Sequence, residues 1–246
     1  MKKVLSTILL ICFVVAVAVA QKQPEKPWDE WTDKDVKKIL DNSGWGQVQT
    51  DNGQDIFAGG TVNKPQMRGS EQGLSEQPPV VDYHIRLLSA KPIRAAFMRQ
   101  LALKQKGPTK DQAQAFVDRK FDSYIVVSVY YESRDGRFPA NTAKAFSAPN
   151  LDLLKKNTYL ERTDGKRIPL QNYMPPSSDG LGAKFIFSRT DAGKPFVSSD
   201  VSELRFVAEV PAEPGQASGG GGTVVYLKLN MRFRVAEMKY DGQLEY

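Results

Sequence analysis

The longest alternation of apolar and polar residues lies at positions 223–238. Every second position there is apolar: Val225, Leu227, Leu229, Met231, Phe233 and Val235. Polar residues occupy the positions between them, among them Lys228, Asn230, Arg232 and Arg234. Because successive strand residues face opposite sides of a sheet, this pattern predicts a half-buried β-strand with one face in solvent. Such a strand needs neighbours, which the rest of the chain has to supply.

Shorter strand patterns precede it. Residues 80–88 alternate, and residues 123–133 are apolar on both parities, which is typical of a strand covered on both faces. After residue 157, short strands flank turn sequences such as 163–166 and 190–193. Eight or nine strands without a β-α-β rhythm predict a mainly β protein. We expect an antiparallel β-sandwich or barrel, with an Ig-like arrangement as one alternative.

Two helices are predicted between the first two of these strands. Apolar residues at helical spacing indicate one helix at about residues 91–106. A Gly-Pro pair ends it, and Thr109 with Gln112 forms a capping box for a second helix at about 109–121. The sequence therefore predicts a helical hairpin inserted into a β-sandwich domain at residues 80–246.

A further helix is predicted within residues 21–45, after a short polar linker. Thr32 is a good N-cap, Asp35 completes a capping box three residues later, and Trp31 precedes the cap. The following stretch, 46–79, is rich in Gly, Gln, Asn and Ser. We therefore expect a Trp-rich capped helix joined to the β domain by an extended, flexible arm.

Residues 1–20 have the pattern of a signal peptide. Two lysines precede a long apolar run that closes on Ala-Val-Ala, which predicts cleavage between Ala20 and Gln21. An uncleaved membrane anchor is the alternative, because the apolar run is slightly long for a signal. After cleavage we expect no transmembrane segment. The protein is thus predicted to be exported, to the periplasm or the extracellular space.

Charge and cysteine content exclude several classes of function. Loss of Lys2 and Lys3 with the signal leaves 32 basic and 28 acidic residues, a net charge of +4. This excess is too mild to indicate nucleic-acid binding. Cys12 is the only cysteine and leaves with the signal. The mature protein would therefore have no disulfide, thiol nucleophile or thiolate metal site.

No catalytic residue, cofactor or metal site is predicted. His84 is the sole histidine, so metal sites with several histidines cannot be built from one chain. We expect His84 to be solvated or salt-bridged on the polar face of its strand. No G-x-S-x-G elbow is present, and the acidic stretch 51–55 lacks the order of an EF-hand loop. Paired carboxylates for glycoside hydrolysis stay open, because their signature is a distance in space.

Two groups of residues are candidate binding sites. All three tryptophans, Trp28, Trp31 and Trp45, lie close together in the sequence. An exposed tryptophan cluster would suit a protein partner or a glycan, whereas a buried one would fix the short helix onto the β domain.

The second group is a basic stripe of Lys228, Arg232 and Arg234, which share one face of the long strand and are possible neighbours of Lys166 and Arg167. It would suit an anionic glycan, lipid headgroups or an acidic partner. The alternative is a solvated face that protects the strand against aggregation.

Two stretches resemble a group of exported bacterial proteins without an assigned function. The first, at 27–45, reads P-W-D-E-W-T-D-K-D-V-x-x-I-L-x-x-S-x-W, and the second, at 86–96, reads R-L-L-S-A-K-P-I-R-A-A. Neither stretch contains a catalytic motif. The resemblance implies export and nothing more about activity.

The function expected from the sequence is a non-catalytic binding or structural module of the cell envelope, with an unknown envelope protein or an anionic glycan as partner. The alternative is a carbohydrate-active enzyme that uses Asp and Glu carboxylates. A deep cleft with two carboxylates about 5 to 9 Å apart would favour the enzyme. A flat surface with exposed tryptophans would favour binding.

Overall fold

The computed structural model describes residues 26–51, 80–134, 136, 140–212 and 225–246. The predicted signal peptide, its cleavage site and most of the predicted arm lie outside the described residues.

The predicted N-terminal helix is present as α1 (Asp33–Asp41), after a 3-10 turn at Trp28–Glu30. Its capping box is confirmed: the Asp35 amide donates to the Thr32 hydroxyl (3.3 Å), and the Thr32 amide donates to an Asp35 carboxylate oxygen (2.9 Å). One face of α1 is apolar and buried, with Val36, Ile39 and Leu40. The helix is therefore fixed by both local capping and tertiary packing.

The capping box predicts a pH-dependent contribution to stability. Hydrogen bonds from the Thr32 hydroxyl and amide lower the pKa of Asp35 from 3.8 to about 2. A lowered folded-state pKa stabilises the fold above the unfolded-state value, and this stabilisation is lost as pH falls from about 4 to 2. Thr32→Ala should lower the Tm by about 2 to 4 °C at pH 6, since a lost cap costs about 1 kcal/mol.

Thermal unfolding of the wild type, Thr32→Ala and Thr32→Ser at pH 6 and pH 2 checks this expectation. The difference between wild type and Thr32→Ala should shrink at pH 2, and Thr32→Ser should unfold like the wild type at both. An equal difference at the two pH values would show that the Asp35 carboxylate contributes nothing.

Twelve strands are found in the described residues. They are β1 (Gly46–Asp51), β2 (Val81–Leu87), β3 (Tyr124–Ser133), β4 (Thr158–Arg162), β5 (Arg167–Met174), β6 (Ala183–Ser188), β7 (Thr190–Asp191), β8 (Lys194–Pro195), β9 (Glu203–Ala212), β10 (Val225–Arg234), β11 (Lys239–Tyr240) and β12 (Gln243–Leu244). Eight form one sheet in the order β1-β2-β3-β6-β5-β4-β9-β10, and the others form two small hairpins. All pairings are antiparallel, so the mainly β, antiparallel fold class is confirmed.

The sheet folds over so that its two halves face each other across the core. Phe185 in β6 and Phe206 in β9 meet with ring centroids 5.3 Å apart, although β5 and β4 separate their strands in the sheet. The long strand has its predicted faces: Leu227, Leu229, Met231 and Phe233 are buried, and the residues between them are exposed. It ends at Arg234, where a 3-10 turn (Val235–Glu237) begins.

The first and last strands of the sheet, β1 and β10, meet at a seam made by side chains. Gln49 Nε2 donates to the Lys228 carbonyl (2.8 Å), and Gln49 Oε1 accepts from the Asn230 amide (2.9 Å). Gln47 Nε2 donates to the Arg232 carbonyl (2.8 Å). The Gln49 amide thus bonds to the edge of β10 as a peptide group of a neighbouring strand would, which covers that edge.

Replacing Gln49 should expose one defined amide. In Gln49→Ala the Asn230 N–H loses its acceptor, so we expect faster hydrogen exchange at Asn230 and a loss of about 1 kcal/mol of stability. Gln47→Ala is the matched control, because Gln47 only donates to a carbonyl. If Asn230 exchanges at the wild-type rate in Gln49→Ala, the seam does not protect the edge.

The predicted helical hairpin follows β2, as α2 (Lys91–Leu103) and α3 (Lys110–Val117). Thr109 and Gln112 form the predicted capping box of α3. Two short helices, α4 (Ala140–Ser147) and α5 (Leu151–Lys156), lie between β3 and β4.

The start of the predicted arm belongs to the main sheet instead. Residues 46–51 form β1, which pairs with β2 from Gly46 opposite Arg86 to Asp51 opposite Val81. The prediction of an arm over all of 46–79 is therefore wrong at its beginning. The physical reason is that β1 turns polar glutamines toward the seam, so its sequence lacks the apolar alternation of an ordinary half-buried strand.

Glu245 and Tyr246 form a clasp that joins distant parts of the fold. The Glu245 carbonyl accepts from Trp45 Nε1 (2.8 Å), and its carboxylate accepts from the Lys91 amide (3.2 Å) at the start of α2. Arg189 donates to the Tyr246 carbonyl and stacks on the Tyr246 ring, 3.8 Å from the centroid. The clasp therefore ties the loop after α1, the start of α2 and the end of β6 together.

Candidate functional site

The tryptophans do not form an exposed platform. Trp31 is fully buried and Trp45 is 2% exposed, whereas Trp28 is half-buried against the core. Each indole nitrogen has a partner: Trp28 donates to Gln114 (3.1 Å), and Trp31 donates to the Lys26 carbonyl (3.0 Å). The hypothesis of a tryptophan binding surface is corrected accordingly. Trp31 and Trp45 are packing residues that hold α1 and the following loop against the domain.

The glycines beside Trp45 permit this packing. A Cβ at Gly46 would lie 2.3 Å from the Leu40 carbonyl oxygen, and one at Gly44 would lie 2.8 Å from Glu237. Only glycine allows such a close approach of backbones. The stretch 27–45 is thus a structural unit.

The stretch 86–96 is structural as well, because its two arginines, Arg86 and Arg94, donate hydrogen bonds to backbone carbonyls. Arg86 donates to the Leu40 carbonyl (3.0 Å) and to Asp41 (2.8 Å), so it binds the end of α1. Arg94, 3% exposed, donates to five carbonyls around the α2–α3 hairpin: those of Leu88, Ser89, Phe116, Val117 and Arg119. Neither guanidinium is free to bind a ligand.

The basic stripe is exposed on β10 as predicted, but acidic residues are interspersed with it. Arg234 pairs with Glu237 (2.8 Å), and Arg232 lies 3.7 Å from Glu203. Lys228 faces Glu209 across the β9–β10 ladder. Alternating charges of opposite sign give a weak net field. The stripe therefore matches the expected solvated face better than a site for an anionic ligand.

Of the predicted extensions of this stripe, Lys166 directly precedes β5 and Arg167 is the first residue of β5. Arg167 pairs with Glu161 (2.7 Å), which Arg205 on β9 also approaches (3.4 Å). Arg167 and Arg205 therefore share the carboxylate of Glu161.

His84 is 9% exposed and lies between two carboxylates rather than in open solvent. Its Nδ1 lies 2.8 Å from Asp41, and its Nε2 lies 3.2 Å from Glu132. Burial raises the pKa of Asp41, but hydrogen bonds from His84 and Arg86 lower it by more. The cluster joins α1 to β2 and β3, with the Glu132 side chain exposed at its outer edge.

A cleft of about 780 Å³ lies on the outer side of the sheet and is here called the outer cleft. It lies between the end of the α2–α3 hairpin and the outward faces of β3, β5 and β6. Its apolar lining comprises Leu88, Phe116, Phe121, Tyr124, Val126, Met174, Leu181 and Ile186. Arg119, Lys120, Asp122, Asp179 and Lys184 are its charged residues. This volume is typical of small-molecule sites.

Two of the most exposed large apolar residues line the outer cleft. Tyr124 is 48% exposed and Met174 is 47% exposed. In the part of the chain that the structure describes, only Leu103, Tyr130 and Leu151 are large apolar residues of comparable exposure, and none of them lines this cleft. Apolar side chains that project into an open cleft mark a surface that binding can bury.

The charges in the outer cleft are of two kinds. Lys184 pairs with Asp179 (2.8 Å) and also donates to the Gly182 carbonyl. Burial raises the pKa of Asp179, but the hydrogen bond from Lys184 and further contacts lower it overall. Arg119 and Lys120 are exposed and form no ion pair among the described residues.

Sequence reasoning missed this site. A partial signal exists, because β3 is apolar on both parities and the outward residues of β5 and β6 include Met174 and Ile186. The apolar residues on both parities of β3 predict a strand covered on both faces. The structure covers only part of the outer face of β3 with helices and leaves Tyr124 exposed.

The described residues contain no group of three or more His, Cys, Asp or Glu side chains that could hold a metal ion. No helix in the same ranges is long and apolar enough to cross a bilayer.

Comparisons with known proteins add little. No protein-family model and no curated protein matches the chain. Among solved structures, the chain is similar to a DUF4426 family protein from Pseudomonas aeruginosa PAO1, with 14% identity and a TM-score of 0.26. The alignment covers 65% of this chain and 91% of that protein. At this TM-score the likeness supports no inference about function.

Proposed function

We propose that the chain is an exported, non-catalytic binding module of the cell envelope and that its ligand occupies the outer cleft. The observation that carries this proposal is the cleft itself, which combines an apolar floor, two exposed apolar residues and a few charged groups at its rim. Ligand sites typically have this composition. The export part of the proposal rests on the signal pattern of residues 1–20.

The carbohydrate-active alternative has less support from the cleft. Two carboxylates, Asp122 and Asp179, line it. A glycosidase needs one carboxyl group with a raised pKa to act as general acid. Asp179 instead has a lowered pKa and is bound to Lys184. This arrangement suits a fixed ion pair better than proton transfer.

Binding of the apolar dye N-phenyl-1-naphthylamine tests the cleft. We expect the dye to gain fluorescence with the wild type, and Met174→Glu to weaken binding about tenfold, because a carboxylate would have to be desolvated against an apolar ligand. Leu151→Glu is the matched control, since Leu151 is 49% exposed but lies on α5, away from the cleft.

If Leu151→Glu weakens dye binding as much as Met174→Glu does, or if neither has an effect, the cleft is not the binding site. Fractionation of cells that express the tagged chain tests export separately, with periplasmic or extracellular protein as the expected result and cytoplasmic protein as the contrary one.

A further inference from the structure

We propose that the ligand of the outer cleft is an amphipathic anion, whose alkyl chain lies on the apolar floor and whose anionic head lies at Arg119 and Lys120. This inference rests on the proposed function, because it specifies the ligand of the same cleft.

The apolar part of the argument is the floor and walls of the cleft. Val126, 6% exposed, and the half-buried Ile186 lie on the outward faces of β3 and β6, with Phe116 and Leu181 beside them. These side chains carry no hydrogen-bonding group. A chain of methylene groups can cover such a surface without leaving a polar group of its own unpaired.

The charged part of the argument is the segment 119–122, which forms one wall of the cleft. Arg119 lies against Phe121, with its guanidinium 5.5 Å from the ring centroid, so one cation is held beside the apolar wall. Lys120 is its exposed neighbour. Asp122 also belongs to the wall, which leaves an excess of one positive charge on this segment. An anionic head therefore finds complementary charge where the alkyl chain would end.

Other lysines in or near the outer cleft already form ion pairs with carboxylates. The same segment borders a second cavity of about 470 Å³, where Lys91 pairs with Asp118 (2.8 Å) and the carboxylate of Glu245 bonds to the start of α2. Lys184 pairs with Asp179. Within the described residues that line the outer cleft, Arg119 and Lys120 are thus the cations without a carboxylate partner.

The test uses isothermal titration of the purified full chain with four amphiphiles of equal chain length: decanoate, decyl phosphate, decanol and decyltrimethylammonium. We expect both anions to bind at least tenfold more tightly than the cation. The affinity of decanol should lie between that of the anions and that of the cation. Octanoate, decanoate and dodecanoate should bind with affinities that rise about fourfold per methylene group. Inorganic phosphate alone should not bind measurably, which separates a lipid from a free anion as ligand.

The variant Arg119→Gln/Lys120→Gln should reduce decanoate affinity to that of decanol and leave decanol binding unchanged. Lys155→Gln/Lys156→Gln is the matched control, because these exposed neighbours lie on α5. Equal affinity for all four amphiphiles, together with no effect of the first double variant, would overturn the anionic head but leave the cleft intact. Decanol binding that is insensitive to Met174→Glu would instead overturn the proposed function.

Discussion

Trp31→Ala is expected to lower the free energy of unfolding by about 3 to 5 kcal/mol, the usual cost of removing a fully buried tryptophan. Trp31 has no exposed surface. Its indole donates to the Lys26 carbonyl (3.0 Å), and its own carbonyl accepts from Arg99 (2.7 Å). The substitution therefore leaves a cavity and disturbs two hydrogen bonds at the start of α1. Urea unfolding followed by circular dichroism measures the loss.

Trp28→Ala is the matched control, because Trp28 is only half-buried and its indole donates to the side chain of Gln114. We expect it to cost about 1 to 2 kcal/mol. Both variants should bind N-phenyl-1-naphthylamine like the wild type at temperatures where they are folded. A Trp31→Ala protein that keeps its stability but loses dye binding would restore the tryptophan cluster as a ligand site.

Arg94→Gln is the second substitution with a large expected effect, again about 3 to 5 kcal/mol. The guanidinium donates to five carbonyls, and an unsatisfied buried acceptor costs about 1 to 3 kcal/mol, although these costs do not add fully. Burial lowers the pKa of Arg94 to about 10, so the group stays charged at neutral pH. Its loss should loosen the α2–α3 hairpin from β2.

Two further variants test whether the loss of stability comes from the hydrogen bonds of the Arg94 guanidinium. Arg94→Lys should recover only part of the stability, because a lysine ammonium cannot reproduce the planar set of donors. Arg234→Gln should change stability by less than about 0.5 kcal/mol, since its side chain is 74% exposed. Urea denaturation compares the three variants. Equal, small effects of Arg94→Gln and Arg234→Gln would mean that the buried arginine does not hold the hairpin.

The sequence predicted the parts of the fold that depend on residues close together in the chain. The alternation at β10, the capping boxes at Thr32 and Thr109, and the helical hairpin all depend on residues within one element. Strand order depends on contacts across the chain and could not be read from such patterns. β1 was missed because Gln47 and Gln49 take the place of apolar residues at the seam.

The exposure of the tryptophans could not be predicted either, because it depends on residues far away in the sequence. Whether Trp45 is exposed depends on Glu245, which lies 200 positions later in the chain and accepts its indole hydrogen bond. A sequence pattern at 27–45 contains no information about that partner. The outer cleft is likewise assembled from distant segments, since Phe116, Tyr124 and Met174 come from α3, β3 and β5.

Methionine methyl NMR tests the central claim, that ligand binds in the outer cleft, most directly. Met174 lines the cleft, whereas Met98, Met231 and Met238 are buried and do not line it. With methyl-labelled methionine and assignment by Met174→Leu, titration with decanoate should shift the Met174 signal and leave the signals of Met98, Met231 and Met238 in place. Saturable decanoate binding that shifts Met231 or Met238 and leaves Met174 unmoved would contradict the account.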